Sequence, residues 1–434
     1  MSLVLGKHMC LAFIMIMTMC PWHSDAAGDS PAIANDKKPT IAIPISAPAH
    51  GTVRDDGTLL VDGKSFFPIG MYHDSLDADY YGEKLLADLK TIADAGFNIA
   101  HVSIDFTHDG KSPKDSTAGK AAKLAEENGM YLAVSVYVKN PSAVLAEYNR
   151  WPAILISTLG DDFDSDAKGR LKGAPKYPPQ RLAELHAETK KIAPRLLTYS
   201  SGSSYLGASL DGYESTVDSL AIQIYPIADG SQSRRNELEA MDDIVANYWK
   251  SGGPKANKSL MVNIQAFSQD GKQWPTPQEA RLQAWVSVLG RAKGIFWYSF
   301  YHGGPKSKTL PNACPALWDE LKALIPELKQ AAPFFTDGKL TQIPNPEDAS
   351  FDDGEGTWHA GYWEKDGQCL VVVVNTHRSK SIVVDLPVPA ARKTRAAFAA
   401  QRYDNTLENS GQGRLKGKLA PASTQVYLME TISP

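Results

Sequence analysis

An apolar run, Ile154-Leu155-Ile156-Ser157-Thr158-Leu159, passes through Gly160 and stops at two adjacent acids, Asp161 and Asp162. Neighbouring carboxyl groups have a specific chemical use. Close like charges push two pKa values apart, so one acid keeps its proton while the other stays ionised. One can then protonate a leaving oxygen while the other stabilises positive charge, the division of labour that cleaves a glycosidic bond. The pair also has a plain structural reading, since Asp at a strand end often caps the following turn. Asp162, Asp164 and Asp166 match the first three ligand positions of a calcium loop. Ala167 stands where that loop needs Gly, and Gly173 where it needs its terminal Glu, so no metal is assigned.

The elements that must hold such a pair follow from the pattern of short apolar strands alternating with amphipathic helices, which indicates parallel βα units. Strands are predicted at 66–72, 97–104, 131–138, 154–159, 196–200, 220–225, 260–267 and 294–301. Gly96 and Gly129 sit just past helix ends as C-terminal caps. Thr276-Pro277-Gln278-Glu279 reads as a capping box, which makes Glu279 a helix-start residue. Eight such units predict a closed (β/α)8 TIM barrel over 51–337, with its site where strands end and βα loops begin.

On that face the pattern gathers further polar and aromatic residues: His73, Asp105, Gln223, Tyr225, Gln265, Trp297 and Tyr298. Planar hydrogen-bonding groups and aromatic rings are what a sugar-binding cleft uses, and these seven are taken as substrate-binding candidates. A strand-end Asp could also work with a distant acid, for which Asp105, Asp229 and Asp270 are candidates. The loop 165–179 carries Lys168, Arg170, Lys172 and Lys176, which reads either as a solvated loop or as a cover favouring an anionic glycan.

Beyond about 338 the helices give way to short strands at 358–363, 369–375, 381–386, 394–398 and 424–429, with Asp366-Gly367 as a hairpin turn. This predicts a small all-β sandwich over 338–434. At the other end, Lys7 and His8 precede an apolar run from Met9 to Met19, and small residues follow at 24–28. That is the pattern of a secretory signal over 1–27, too short for a comfortable membrane span, and it implies a periplasmic or extracellular address. Residues 28–50 read as a linker or loosely packed arm. Cys314 and Cys369 remain after such a leader, as one disulfide or two separate thiols. A net charge of −4 and the lack of recognisable motifs give no support to nucleic-acid binding. No Cys/His spacing reads as a zinc site, and no cofactor is expected.

With these residues in place, a likeness emerges. The segment Gly57 to His73, with Asp62-Gly63-Lys64-Ser65-Phe66-Phe67-Pro68-Ile69-Gly70, resembles the introductory hairpin and first strand of retaining glycoside hydrolase barrels of the clan-A type. Ala95-Gly96-Phe97-Asn98 is similar to their approach to strand two, and Trp151-Pro152-Ala153-Ile154-Leu155 to their approach to strand four. The resemblance spans residues 51 to about 338. It implies a (β/α)8 barrel, a carbohydrate substrate and an acid after strand four. This sequence departs from the pattern twice. Asp161-Asp162 replaces the expected Asn-Glu, and Gln265 stands where strand seven should carry a nucleophilic Glu. An amide cannot be that nucleophile. Substrate-assisted glycosidases, in which the sugar's own 2-acetamido oxygen attacks, resemble this arrangement more closely, since several carry adjacent acids after strand four. By that resemblance Asp162 is the acid/base, Asp161 polarises the acetamido group, and Tyr225 is the supporting tyrosine. The rival reading is a glycan-binding protein on a barrel that has lost catalysis, which Gln265 favours. A lyase or isomerase is set aside, because nothing suggests a metal or a Lys base at a strand end.

Overall fold

The computed structural model describes residues 43–73, 82–106, 110–135, 141–164, 175–202, 212–227, 241, 257–268, 272–301, 308–344, 358–398, 407–409 and 413–431. The expected leader, and the expected linker up to residue 42, lie outside the described residues, as do Asp166, Lys168, Arg170, Lys172, Asp229 and Asp270.

A small antiparallel sheet comes first: β1 (Gly51–Val53), β2 (Leu59–Val61) and β3 (Lys64–Phe66). Eight strands then close into a barrel: β4 (Ile69–His73), β5 (Ile99–Val102), β6 (Tyr131–Ser135), β7 (Ile154–Asp161), β8 (Leu197–Gly202), β9 (Ser219–Ile224), β10 (Ser259–Gln265) and β11 (Ile295–Tyr301). Every neighbouring pair in the ring is parallel. All eight predicted strands are present. The described helices are α1 (Glu83–Asp94), α2 (Thr117–Glu127), α3 (Pro141–Tyr148), α4 (Pro179–Ile192), α5 (Pro277–Leu289), α6 (Leu310–Ala313) and α7 (Pro315–Asp337). Side chains alternate along each strand. Those of Tyr72, Ile99, Leu155, Tyr199, Met261 and Phe296 fill the barrel, while Ile69, Met71, Val102, Ile154, Val262 and Trp297 pack outward beneath the helices.

Two antiparallel sheets follow, ordered β12-β13-β14-β19-β16 and β15-β18-β17. Their strands are β12 (Lys339–Ile343), β13 (Trp358–Lys365), β14 (Gln368–Asn375), β15 (Ile382–Pro387), β16 (Ala391–Phe398), β17 (Glu408–Asn409), β18 (Arg414–Leu419) and β19 (Ser423–Thr431). The barrel is thus followed by an all-β region, as predicted. Asp366 and Gly367 both have positive φ, the turn that β13 and β14 need for a two-residue connection. Valine follows valine in β14 because both faces are covered. Val371 and Val373 face the second sheet, and Val372 and Val374 join the barrel's outer core. The same double cover explains α5, buried from Glu279 to Leu289 between β10 and the five-stranded sheet. Its capping box forms as predicted, and Glu279 also receives Arg378 from the β region at 2.7 Å. Cys314 and Cys369 are separate thiols.

The end of the expected linker is not loose. Ala49 is buried, and the N–H of Ile45 donates to the carbonyl of Glu126. Arg195, just before β8, explains much of this. Its guanidinium donates to the carbonyls of Asn149, Ala49, Ile154, Tyr148 and Trp151 at 2.6–3.1 Å. Burial lowers its pKa to about 10, so it stays charged at neutral pH. Five carbonyls from three segments thereby converge on one fork of donors, at the barrel end away from the acids. Arg195→Lys keeps the charge and loses the fork, which strands buried carbonyls. It is expected to destabilise the fold by about 3 kcal/mol in urea unfolding. A loss below about 1 kcal/mol would show that water replaces the fork.

Candidate active site

β7 carries the acid pair into the barrel mouth through an irregularity. Its pairing with β8 shifts register between Thr158 and Gly160. Such a bulge re-aims the side chains that follow it. Thr158 points into the barrel, where His101 Nε2 lies 3.0 Å from its hydroxyl, and Asp161 returns to the same interior. Gly160 is required by a close approach, because a Cβ there would come within 2.9 Å of the Tyr177 ring. Asp162 lies in the left-handed region with φ 52, a conformation Asp tolerates better than most residues. The fully buried Phe163 then anchors the turn against Tyr213.

One network joins the two carboxyls. Asp161 Oδ1 accepts from Ser201 Oγ at 2.6 Å and from the Tyr72 hydroxyl at 3.4 Å. The Gln223 amide donates to Ser201 Oγ at 2.9 Å and to Asp162 Oδ1 at 2.8 Å. Beneath them the Tyr72 and Tyr199 hydroxyls meet at 2.9 Å, and Tyr199 donates to Asn263 Oδ1 at 2.9 Å. His101 stacks on Tyr72 with 3.9 Å between ring centroids. Tyr225 stands beside the pair, with its ring against Phe267 at 5.1 Å and Tyr298 at 5.9 Å. Its hydroxyl makes no hydrogen bond among the described residues.

The two carboxyls differ electrostatically. Burial raises the pKa of Asp161, opposed by the Ser201 and Tyr72 hydrogen bonds and the charge of Lys176. Burial also raises Asp162, and there the negative charge of Asp161 adds to it, with Gln223 and Lys176 opposing. Two hydroxyl donors thus favour charge on Asp161, whereas repulsion favours the proton on Asp162.

The sequence-predicted residues separate into two groups, with one residue apart. Asp161, Asp162, Gln223, Tyr225 and Tyr298 are brought together at the mouth. Three others must be corrected. His73 points outward, with Nε2 2.9 Å from Asp88 of α1. Trp297 is fully buried in the outer layer, edge-on to Phe97 at 5.9 Å. Gln265 is fully buried with its amide consumed by backbone. Its oxygen accepts from the N–H of Ile227 at 2.8 Å, and its nitrogen donates to the carbonyls of Ile227 and Phe267 at 2.8 and 3.0 Å. Asp105 stands apart from these groups, half-buried on the segment leaving β5. Sequence reading missed Tyr72, His101, Tyr199, Ser201 and Asn263. Counting alternate positions back from the strand ends would have found them, since Tyr72 faces opposite to His73.

No protein-family model matches the sequence, and no curated protein matches it. Solved structures do match by fold. A point variant of a GH27 β-L-arabinopyranosidase from Geobacillus stearothermophilus, in complex with arabinose, is similar with a TM-score of 0.53 at 12% identity, covering 84% of this chain and 98% of that one. The wild-type form gives a TM-score of 0.52 at 11% identity, covering 84% and 96%. The likeness is one of fold, a closed (β/α)8 barrel followed by antiparallel sheets. An α-amylase from Geobacillus thermoleovorans complexed with acarbose also matches, with a TM-score of 0.49 at 12% identity, covering 84% and 99%. At these identities the likeness concerns the fold of the barrel, and its chemistry must be argued from the residues at the mouth.

Two expectations follow from this geometry. Gln265→Glu places on strand seven the carboxylate that the clan-A-type resemblance leads one to expect, but here it would leave the Ile227 and Phe267 carbonyls without a donor. The variant should lose about 3 kcal/mol in urea unfolding and gain no turnover; unchanged stability would mean that this position can hold a charge. The second concerns pH. A carboxyl whose pKa is raised on folding contributes stability below the ordinary carboxyl pKa, and loses it as pH rises through the folded value. Asp162→Asn should therefore raise Tm at pH 7, with the gain shrinking towards pH 3. A variant less stable than wild type at pH 7 would show that the ionised pair is not under strain.

Proposed function

We propose that the protein is an exported glycoside hydrolase that cleaves a polysaccharide or oligosaccharide beside a 2-acetamido sugar, with Asp162 as acid/base. The observation that carries this reading is the unequal support of two adjacent carboxyls at the barrel mouth. Asp161 accepts from two hydroxyls, whereas Asp162, bonded to the Gln223 amide, sits in the negative field of Asp161. In the first step the protonated Asp162 gives its proton to the glycosidic oxygen as the C1–O bond breaks. The sugar's acetamido oxygen bonds to C1 from the opposite face, forming an oxazolinium ring. Asp161 Oδ2 has no partner among the described residues, so it can accept the acetamido N–H and balance the ring's charge. The Tyr225 hydroxyl donates to the acetamido oxygen. In the second step the Asp162 carboxylate takes a proton from water, whose oxygen adds to C1 and reopens the ring. The anomeric configuration is retained and no second protein nucleophile is needed, which accords with the structural occupation of Gln265.

The same Gln265 supports one rival, a glycan-binding protein without turnover. Purified mature protein and Asp162→Asn, assayed on a panel of aryl glycosides and polysaccharides, separate the two. The expected result is release from acetamido glycosides, no release from their 2-hydroxy analogues, and a fall in kcat of about 10²–10⁴ in the variant. Equal turnover of the 2-hydroxy analogues would remove substrate assistance. Binding without release would favour the rival.

A further inference from the structure

Three half-buried lysines of the barrel wall have acidic partners among the described residues. Lys190 and Lys258 face Asp218, and Lys293 faces Asp56. Lys176 differs. It is exposed beside the acid pair, its ammonium lies 5.4 Å from the centroid of the Tyr177 ring, and no carboxylate within ion-pair distance is found among the described residues.

Its position is fixed by its neighbour. The N–H of Tyr177 donates to the carbonyl of Phe163 at 3.0 Å, and the carbonyl of Tyr177 accepts from the Tyr213 hydroxyl at 3.0 Å. The Tyr177 ring closes on Gly160, the residue before Asp161, so tightly that no Cβ fits between them. These contacts tie the segment carrying Lys176 to both sides of the acid pair. The positive charge acts on both carboxyls, favouring their ionised forms.

An ammonium is a compact point charge on a flexible stem, suited to an anionic group whose position varies by an ångström or two. A sugar carrying a carboxylate meets repulsion from the ionised Asp161 as it enters the mouth. A cation at the rim offsets that repulsion. We propose that Lys176 recognises a carboxylate on the sugar at, or next to, the cleaved bond, so that the substrate is an acidic glycan. The proposal rests on the reading of the mouth as a glycan-processing site, and it names the substrate class of that site.

The test uses pairs of acetamido glycosides that differ only in a carboxyl. One pair has or lacks a 3-O-lactyl ether. The other has a hexuronate or a neutral hexose on the adjoining sugar. The quantity read is the ratio of kcat/KM for the acidic member to that for the neutral member, in wild type and in Lys176→Gln, at low and high salt. Wild type should prefer the acidic member in at least one pair. The variant should lose about tenfold of that preference, the scale of one charge-assisted hydrogen bond. Salt should compress the ratio in wild type more than in the variant. No acidic preference in wild type, or a preference that survives Lys176→Gln, overturns the proposal. In the second case a displaced pH profile would identify Lys176 as a group that only adjusts the acids. If nothing is cleaved, the same ratio is read from dissociation constants by calorimetry. A Lys176-dependent acidic preference in binding then upholds the proposal while the hydrolytic reading fails, and no binding of any acidic member overturns it.

Discussion

Two carboxyl groups on consecutive residues occupy one partly buried mouth, and the interior of the barrel is organised around their charge. Each would be pushed towards its neutral form by burial alone. The network resolves this unequally. Ser201 and Tyr72 donate to one acid, Gln223 bridges to the other, and the negative charge on the first works against ionisation of the second. Removing Ser201 or Gln223 would therefore alter both acids, because Gln223 touches Ser201 as well as Asp162. This coupling makes the two acids a unit that titrates as a pair.

The rest of the molecule holds that unit steady from a distance. Arg195 gathers backbone carbonyls at the opposite end of the barrel, and Arg281 joins α5 to α7 through Glu320 and Glu327. The five-stranded sheet covers the outer side of α5, turning a barrel helix into a buried one. These contacts keep β10 and its neighbours in register. In a closed barrel a slip of one residue on any strand would turn its inward side chains outward. Asn263, Tyr199 and Tyr72 sit on three different strands yet meet within hydrogen-bond distance, so the site is only as precise as that register.

Much of this was legible in the sequence, and the remainder has physical reasons. Parallel strands buried on both faces and helix caps are local signals, so all eight barrel strands and the capping box at Thr276 were readable. The acid pair was visible because charge at the end of an apolar run is rare without purpose. What local signals do not carry is direction. His73 and Tyr72 are neighbours, and only strand register tells which of them faces the mouth. Trp297 and Phe296 present the same choice, and in both pairs the more polar or larger residue lies on the outer side. The strands β12, β17 and β18 were missed because short or charged strands such as Arg414–Leu419 lack a continuous apolar signature.

Gln265 shows how a departure from a family pattern gains meaning only from its contacts. In the sequence it reads as a lost carboxylate. In the structure its oxygen and nitrogen are matched to one N–H and two carbonyls, a set of partners that an amide satisfies and a carboxylate cannot. The position is architectural, pinning the segment after β9 to the end of β10. The proposed acetamido mechanism asks nothing of this position, because its nucleophile comes from the substrate. With an uncharged amide at 265, the carboxyls on which the Lys176 charge acts include Asp161 and Asp162. On the proposed reading, an amide at this position and a cation at the rim both lessen the repulsion that an acidic glycan would meet.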